Sequence, residues 1–508
     1  MRRLFLLGFA LLLALVPVSA RAAEVVLFHT NDAHARIMKG DDGGKTIGLA
    51  EMTAAVRKSR AGNEATLWLD AGDTFHGMPA VNVSRGVGMV ALLNRAGLDA
   101  MTPGNHDYNY GAPRLLELAR RARFPVLSAN TVGRETGELL FKPYKIFRWG
   151  GIRVGVFGLT TPDTAGATRP SNVETVRFTD AVEAAWRMVA ELRPQCDVIV
   201  ALAHLGLNEH SSITSERLAQ EAPGIDVIID GHSHTALPEG LTVGDTLIAQ
   251  TGWHGHFLGR VMLTVENGRV VGKEARLLDA EAVAQLAPEP DEGVLKALAA
   301  LEKRNAALFG KVVARSSRRL TGDRSILRRQ ESELGNLCAD AFRWRAGADL
   351  AISNGGGMRS DLPAGDVTRG DIMAIFPFGN NVMLAEIDGA TIRRMLERSV
   401  SAYPNIFGGF LSVSGLTFSF DPDAPAGARV GEIHVNGAPL DESRVYTLAS
   451  SDFQLAGGDG YDFLKDLTVL RQFGTCEEIL ADYLNEVGME GIDLGRITMT
   501  AAQLREAA

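Results

Sequence analysis

The chain of 508 residues has only 3 cysteines, 6% aromatic residues and no basic excess, with 52 Lys and Arg against 61 Asp and Glu. Three thiols (Cys196, Cys338 and Cys476) exclude a disulfide framework and allow one pair at most, with nothing in the sequence to choose it. A net charge of -9 excludes the basic footprint of a protein that grips a nucleic-acid polymer. Beyond residue 22 no apolar run reaches the roughly 20 residues that span a bilayer. Internal repeats and low-complexity tracts are absent, and 46% hydrophobic content is that of an ordinary globular protein. Single cores stop growing at roughly 250–300 residues, so more than one domain is expected.

What the chain does have is an uneven supply of imidazole. Ten of its 11 histidines lie before residue 260, and only His434 lies after.

Residues 1–22 read as a cleaved export signal. Arg2 and Arg3 form a basic start, Leu4–Pro17 is apolar, and Val18-Ser19-Ala20 or Ala20-Arg21-Ala22 offers a small-residue cleavage site. Removal takes away three arginines and no acid, leaving a more acidic, exported chain with no membrane anchor. From Glu24 to about residue 285, short apolar strands (Val25–His29, Thr66–Leu69, Val154–Leu159, Val198–Ala203, Val227–Ile229, Thr246–Ala249) alternate with stretches of helical spacing, which predicts an α/β layered domain. Pro288-Glu289-Pro290 interrupts it, and Glu292–Leu308 reads as a connecting helix within a linker at 286–310. A second α/β region covers 311–500.

Five segments of the first domain carry hard-ligand side chains: Asn31-Asp32-Ala33-His34, Asp70-Ala71-Gly72-Asp73, Gly104-Asn105-His106-Asp107, Ala203-His204-Leu205 and Gly231-His232-Ser233-His234. Four follow a predicted strand, and functional groups in open α/β sheets gather beyond the carboxyl ends of strands. Imidazole, carboxylate and amide oxygen without thiolate suit Zn, Mn, Fe or Co. His29, His76, His210, His254 and His256 have no such context and default to core or surface roles, and His434 reads as a strand residue before a turn.

This ordered set resembles the calcineurin-like metallophosphoesterases, and with the second-domain motifs it is similar to the 5'-nucleotidase family across the whole mature chain. The resemblance implies a four-layer-type α/β domain followed by a substrate-binding α/β domain. It implies two divalent cations, one held by Asp32, His34, Asp73 and His234, the other by Asp73, Asn105, His204 and His232. It gives His106 the role of stabilising the transition state and helping the leaving group, with Asn109 beside it where many relatives have Asp. Asn can orient an imidazole but supplies no charge to an imidazolium, and this position also resembles the 2',3'-cyclic nucleotide phosphodiesterase branch.

In the second region Ser353-Asn354-Gly355-Gly356-Gly357-Met358-Arg359, Phe376-Pro377-Phe378-Gly379-Asn380 and the loop from Asp452 to Tyr461 stand out. Glycines admit close approach to a ligand, Arg grips anions, and aromatics on separate loops can sandwich a flat ring. By resemblance Phe378 and Phe453 stack on the base, Asp459 binds ribose, Asn354 contacts base or ribose, and Arg324, Arg328 and Arg359 face phosphate or ribose. The expectation is a dimetal phosphohydrolase acting on a small nucleotide. A cyclic nucleotide phosphodiesterase with 3'-nucleotidase activity, a UDP-sugar hydrolase, or a non-catalytic nucleoside-binding protein are the alternatives; oligomeric state stays open.

Overall fold

The computed structural model describes residues 23–168, 170–207, 211–489 and 492–500, so the expected export signal and His210 lie outside the described residues. The first domain is built on two sheets. One runs Arg269–Leu278, Leu258–Glu266, Ala23–Thr30, Thr66–Asp70, Ala100–Met101 in spatial order. The other runs Leu241–Val243, Thr246–Ala249, Val227–Ile229, Val198–His204, Ile152–Thr160, Tyr144–Trp149.

Alternation along each strand sends side chains to two different cores. Val25 and Leu27 meet Val154, Val156, Val198, Val200 and Leu202 between the sheets. Val26 and Phe28 face the opposite way, into a core covered by the helices Leu49–Gly62, Val87–Ala96 and Ala112–Arg121. Ile199, Ala201 and Ala203 do the same on the second sheet, under Ala181–Leu192 and Ser215–Glu221. Strands buried on both faces carry continuous apolar runs. The result is helix, sheet, sheet, helix: the four-layer domain expected from the sequence.

The helix Glu292–Phe309 is capped by Asp291, whose side chain accepts from the Val294 amide. Its Val294, Leu298 and Leu301 are buried in the first-domain core, and Asn305 Nδ2 donates to the Ala80 carbonyl. It is thus docked on the first domain along its length and is no free-standing connector.

The second domain centres on a five-stranded sheet in the order Leu411–Ser414, Leu350–Asn354, Val445–Ser451, Asn381–Asp388, Val469–Thr475. Leu337, Phe342, Ile479 and Leu480 from the helices Glu333–Ala346 and Cys476–Glu486 cover one face. Ile392, Met395 and Leu396 from Gly389–Val400 cover the other. Asn354 is the last residue of the strand Leu350–Asn354, and the glycine turn starts after it. All three cysteines are buried: Cys196 in the first domain, Cys338 and Cys476 in one core of the second. His434 sits in the strand Val430–Val435 before a turn, as its sequence suggests.

Candidate active site

The ligand-bearing segments leave the carboxyl ends of Ala23–Thr30, Thr66–Asp70, Ala100–Met101 and Val227–Ile229, while His204 closes its own strand. Parallel pairing of these strands brings their ends to one side. The turns are sharp. Asp32, His34, Asp73, His232 and His234 have φ of 48°, 46°, 56°, 75° and 57°, in the left-handed region that non-glycine residues rarely enter. Such strain, about 1–3 kcal/mol per residue, is held only where the surroundings overdetermine it.

Buried carboxylates that are not ligands do the holding. Asp107 accepts from the backbone amides of Asp73, Thr74, Phe75 and Gly104. Asp70 accepts from Thr30, Thr74 and the Gly72 amide, and Asp230 from the Leu205 and Gly206 amides. Burial raises the pKa of Asp107 to about 7 and of Asp70 and Asp230 to about 6. At Gly104 a Cβ would lie 2.3 Å from Asp73 Oδ1 and 2.6 Å from His204 Cε1, so the loop approaches the ligands because it has no side chain there.

The seven expected ligands converge. His34 Nε2 and His234 Nε2 face each other at 3.3 Å, and His234 Nε2 is 3.3 Å from Asp32 Oδ1. That Asp32 oxygen is buried without a hydrogen-bond partner. His204 Nδ1 donates to the Ala71 carbonyl at 2.7 Å, which turns Nε2 toward Asn105 Oδ1 at 3.3 Å and Asp73 Oδ2 at 3.4 Å. His232 Nδ1 lies 3.0 Å from Asn105 Oδ1. Donor atoms of Asp32, His34 and His234 lie within 4.8 Å of one another, as do those of Asp32, Asp73 and His204. Two facing imidazole nitrogens and an orphaned carboxylate oxygen fit divalent cations, and the fixed second nitrogen of His204 is the outer-shell bond that metal-bound histidines make.

Charge follows the same plan. Burial keeps His34 well below its usual pKa, reinforced by the nearby Arg359 guanidinium, and lowers His234 to about 4 despite Asp32. His204 differs. Burial opposes its charge, but the Asp73 carboxylate outweighs that and raises it to about 10.

His106 stands beside this set, its amide donating to Asp73 Oδ1 at 2.7 Å. Asn109 Nδ2 is 3.0 Å from His106 Nδ1 and 3.2 Å from His76 Nδ1. His76, left to a core or surface role by sequence alone, therefore shares Asn109 with His106. His254 and His256 share Asp42 Oδ2 at 2.9 and 2.6 Å. Those are hydrogen-bond separations, with both imidazoles as donors. His29 is buried between strands with neither ring nitrogen partnered.

The second domain faces this centre across a cleft of about 1000 Å³. Arg324, Arg328, Asn354, Arg359, Phe378, Phe453 and Asp459 line it with Asp73, Asn105, His106, Asn109, His232 and His234. Arg324 Nη1 lies 2.6 Å from His234 Nδ1, and Arg359 Nη2 3.5 Å from His34 Nε2. Asn354 Nδ2 donates to Asp459 Oδ2 at 2.8 Å, and Asp459 has φ of 57° in its glycine loop. Phe378 stacks on His76 and His106 with centroids 5.3 and 5.5 Å away, so it reaches the imidazoles as well as the cleft. Sequence reading missed Arg398, which donates to the Asp459 carbonyl and lies over Phe407, with both side chains lining the cleft. An arginine in the last turn of a helix carries no local signal of that role.

Comparison with known proteins agrees with this two-part site. Residues 26–236 match the calcineurin-like phosphoesterase model, and 312–466 match the 5'-nucleotidase C-terminal domain. A 5'-nucleotidase precursor from Thermus thermophilus has a crystal structure 34% identical to the chain, with a TM-score of 0.81 over 94% of this chain and 99% of that one. A 5'-nucleotidase of Vibrio cholerae is 29% identical over 91% of this chain and 90% of its own. The trifunctional nucleotide phosphoesterase protein YfkN of Bacillus subtilis is 30% identical over 92% of this chain, which spans only 34% of that longer protein. The chain belongs to the 5'-nucleotidase family of calcineurin-like, metal-dependent phosphoester hydrolases.

Proposed function

We propose that the protein is an exported dimetal 5'-nucleotidase, releasing inorganic phosphate and a nucleoside from a nucleotide bound between its domains. The observation that carries this reading is the shared cleft: one wall bears the imidazole and carboxylate set, the other the arginines, aromatics and Asp459. The relatives named 5'-nucleotidase support it.

Asp32, His34, Asp73 and His234 would hold one divalent cation and Asp73, Asn105, His204 and His232 a second, of Zn, Mn, Fe or Co type. When bound, such a pair supplies Lewis acidity toward the phosphoryl oxygens and activates the attacking water. Water adds to phosphorus in line with the ester oxygen, the P–O bond breaks, and its electron pair stays with the departing nucleoside oxygen, which takes up a proton that the attacking water has given up. His106 offers hydrogen-bonding stabilisation to the charge that builds there. Arg324, Arg328 and Arg359 balance the phosphate charge, and their convergence makes a local positive field in an acidic protein. Asp459, oriented by Asn354, accepts from ribose hydroxyls, while Phe378 and Phe453 supply apolar surface to the base.

A panel of AMP, 2',3'-cyclic AMP, UDP-glucose and an aryl phosphate, with Mn or Zn and with chelator, tests this reading. AMP turnover lost with chelator is expected; turnover confined to the cyclic nucleotide or to UDP-glucose overturns it. Export rests on residues 1–22, and among the described residues no helix is long and apolar enough to cross a membrane. Sequencing the mature amino terminus tests that part: a chain retaining Met1 contradicts it.

A further inference from the structure

His76 takes no part in the proposed chemistry, and its bonds cross the domain boundary. It is buried at 2% exposure on the first domain, with Nε2 3.1 Å from the carbonyl of Pro377 on the second. Asn82 Nδ2 donates to the same carbonyl at 3.1 Å. A carbonyl oxygen only accepts, so His76 Nε2 carries hydrogen. Burial lowers the His76 pKa to about 3, so the ring is neutral and its Nδ1 bears a lone pair.

That lone pair fixes the next group. Asn109 must present its amide nitrogen to His76 Nδ1, at 3.2 Å, and the second hydrogen of that nitrogen points to His106 Nδ1 at 3.0 Å. The other end of the amide gives an independent check. Asn109 Oδ1 lies 2.9 Å from Thr168 Oγ1, which itself accepts from Asn172 Nδ2 at 3.1 Å and so has its hydrogen to give. The Thr168 hydroxyl is satisfied by this orientation, and reversing the amide would set its oxygen against the His76 Nδ1 lone pair. Since His106 Nδ1 meets a donor, it must accept, and the ring proton sits on Nε2.

We propose that His76 is a positioning residue that reads the docking of the second domain through Pro377 and, through Asn109, holds the His106 ring with Nδ1 as acceptor and its proton on Nε2. His106 then presents Nε2–H as a hydrogen-bond donor to the phosphoryl group. With Pro377 withdrawn, His76 is free to carry its proton on Nδ1 and that hold is released. Docking of the nucleoside domain thereby arms the donor. This deepens the nucleotidase reading and rests on the role that reading gives His106.

The test uses the full chain loaded with Zn and labelled with ¹⁵N in its imidazoles. The His106 resonances, identified by their loss in H106Q, are expected to show protonated Nε2 and bare Nδ1. In H76L that preference disappears and kcat for AMP falls about 10-fold, the scale of one hydrogen bond to a charged group, with KM unchanged. H76Q restores both, because its carboxamide can accept from Asn109 and donate to Pro377. N109D, which offers only acceptors, moves the proton to Nδ1, so a misfolded H76L would not end the test. Nδ1–H in the wild type, or unaltered His106 signals in N109D or folded H76L, overturns the proposal. The tautomer is read without turnover, so failure of the nucleotidase reading appears separately, as a wild-type enzyme inert toward AMP.

Discussion

His204 Nε2 and Asp73 Oδ2 lie 3.4 Å apart, with side-chain exposures of 0% and 2%. Without a cation this is a buried ion pair, and Asp73 raises the His204 pKa to about 10, above its ordinary 6.5. A raised pKa contributes stability that is complete below pH 6.5 and is lost as pH climbs through about 10. Metal-free protein should therefore lose thermal stability across that interval. Metal-loaded protein should not, because a cation takes the place of the proton. Melting curves with and without chelator from pH 6.5 to 10 check this; parallel curves contradict it. Metal uptake at pH 8 should also release about one proton from His204, measurable by calorimetry in buffers of different ionisation enthalpy.

Asp73→Asn removes the carboxylate that both proposed cation sets share. Metal affinity should drop by more than the roughly 100-fold that loss of an outer-shell partner can cost, and turnover should vanish. Full activity in this variant would sink the dimetal assignment.

Gly104→Ala tests the loop without replacing a ligand. The new methyl would lie 2.3 Å from Asp73 Oδ1 and 2.6 Å from His204 Cε1, well inside van der Waals contact. Metal content and activity should fall while circular dichroism stays that of the parent. A fully active, metal-replete variant would mean that the loop yields without moving either ligand.

Phe453→Ala separates base recognition from catalysis. AMP should lose efficiency by about 10-fold, in line with 1–3 kcal/mol for base stacking, and an aryl phosphate should not. Phe378→Ala should impair both substrates, since that ring also packs on His76 and His106. Identical profiles for the two variants would remove the distinction.

Arg359→Lys keeps charge but loses the planar fork and the reach over Phe378. KM for AMP should rise about 10-fold, the scale of one charge-assisted hydrogen bond, with a smaller change in kcat. An unchanged KM would detach Arg359 from phosphate binding.

Much of this site was legible because its parts are local. Asp32 with His34, Asn105 with His106, and His232 with His234 each sit within a few residues on one turn, and the strand before each turn announces itself through runs such as Val198–Ala203. What sequence reading could not see depends on distance along the chain. His76 meets Pro377, and Arg398 meets Asp459, through contacts that only the packed domains create. Asp107 looked like part of a ligand motif, yet its carboxylate is consumed by four backbone amides. The connecting helix was visible from its periodicity, but its docking through Val294, Leu298 and Leu301 was not, because an apolar stripe does not say which surface it will cover.

The five left-handed ligand residues also limit what the site can become. Asp, Asn and His tolerate positive φ better than other side chains, and β-branched residues scarcely at all. Exchanging a ligand for Glu or Cys to recruit another cation would ask the newcomer to adopt a backbone angle it resists. Donor chemistry at this centre is thus filtered by turn geometry before any cation arrives. Attempts to reprogram its metal preference should begin by reshaping the loops and only then change the side chains.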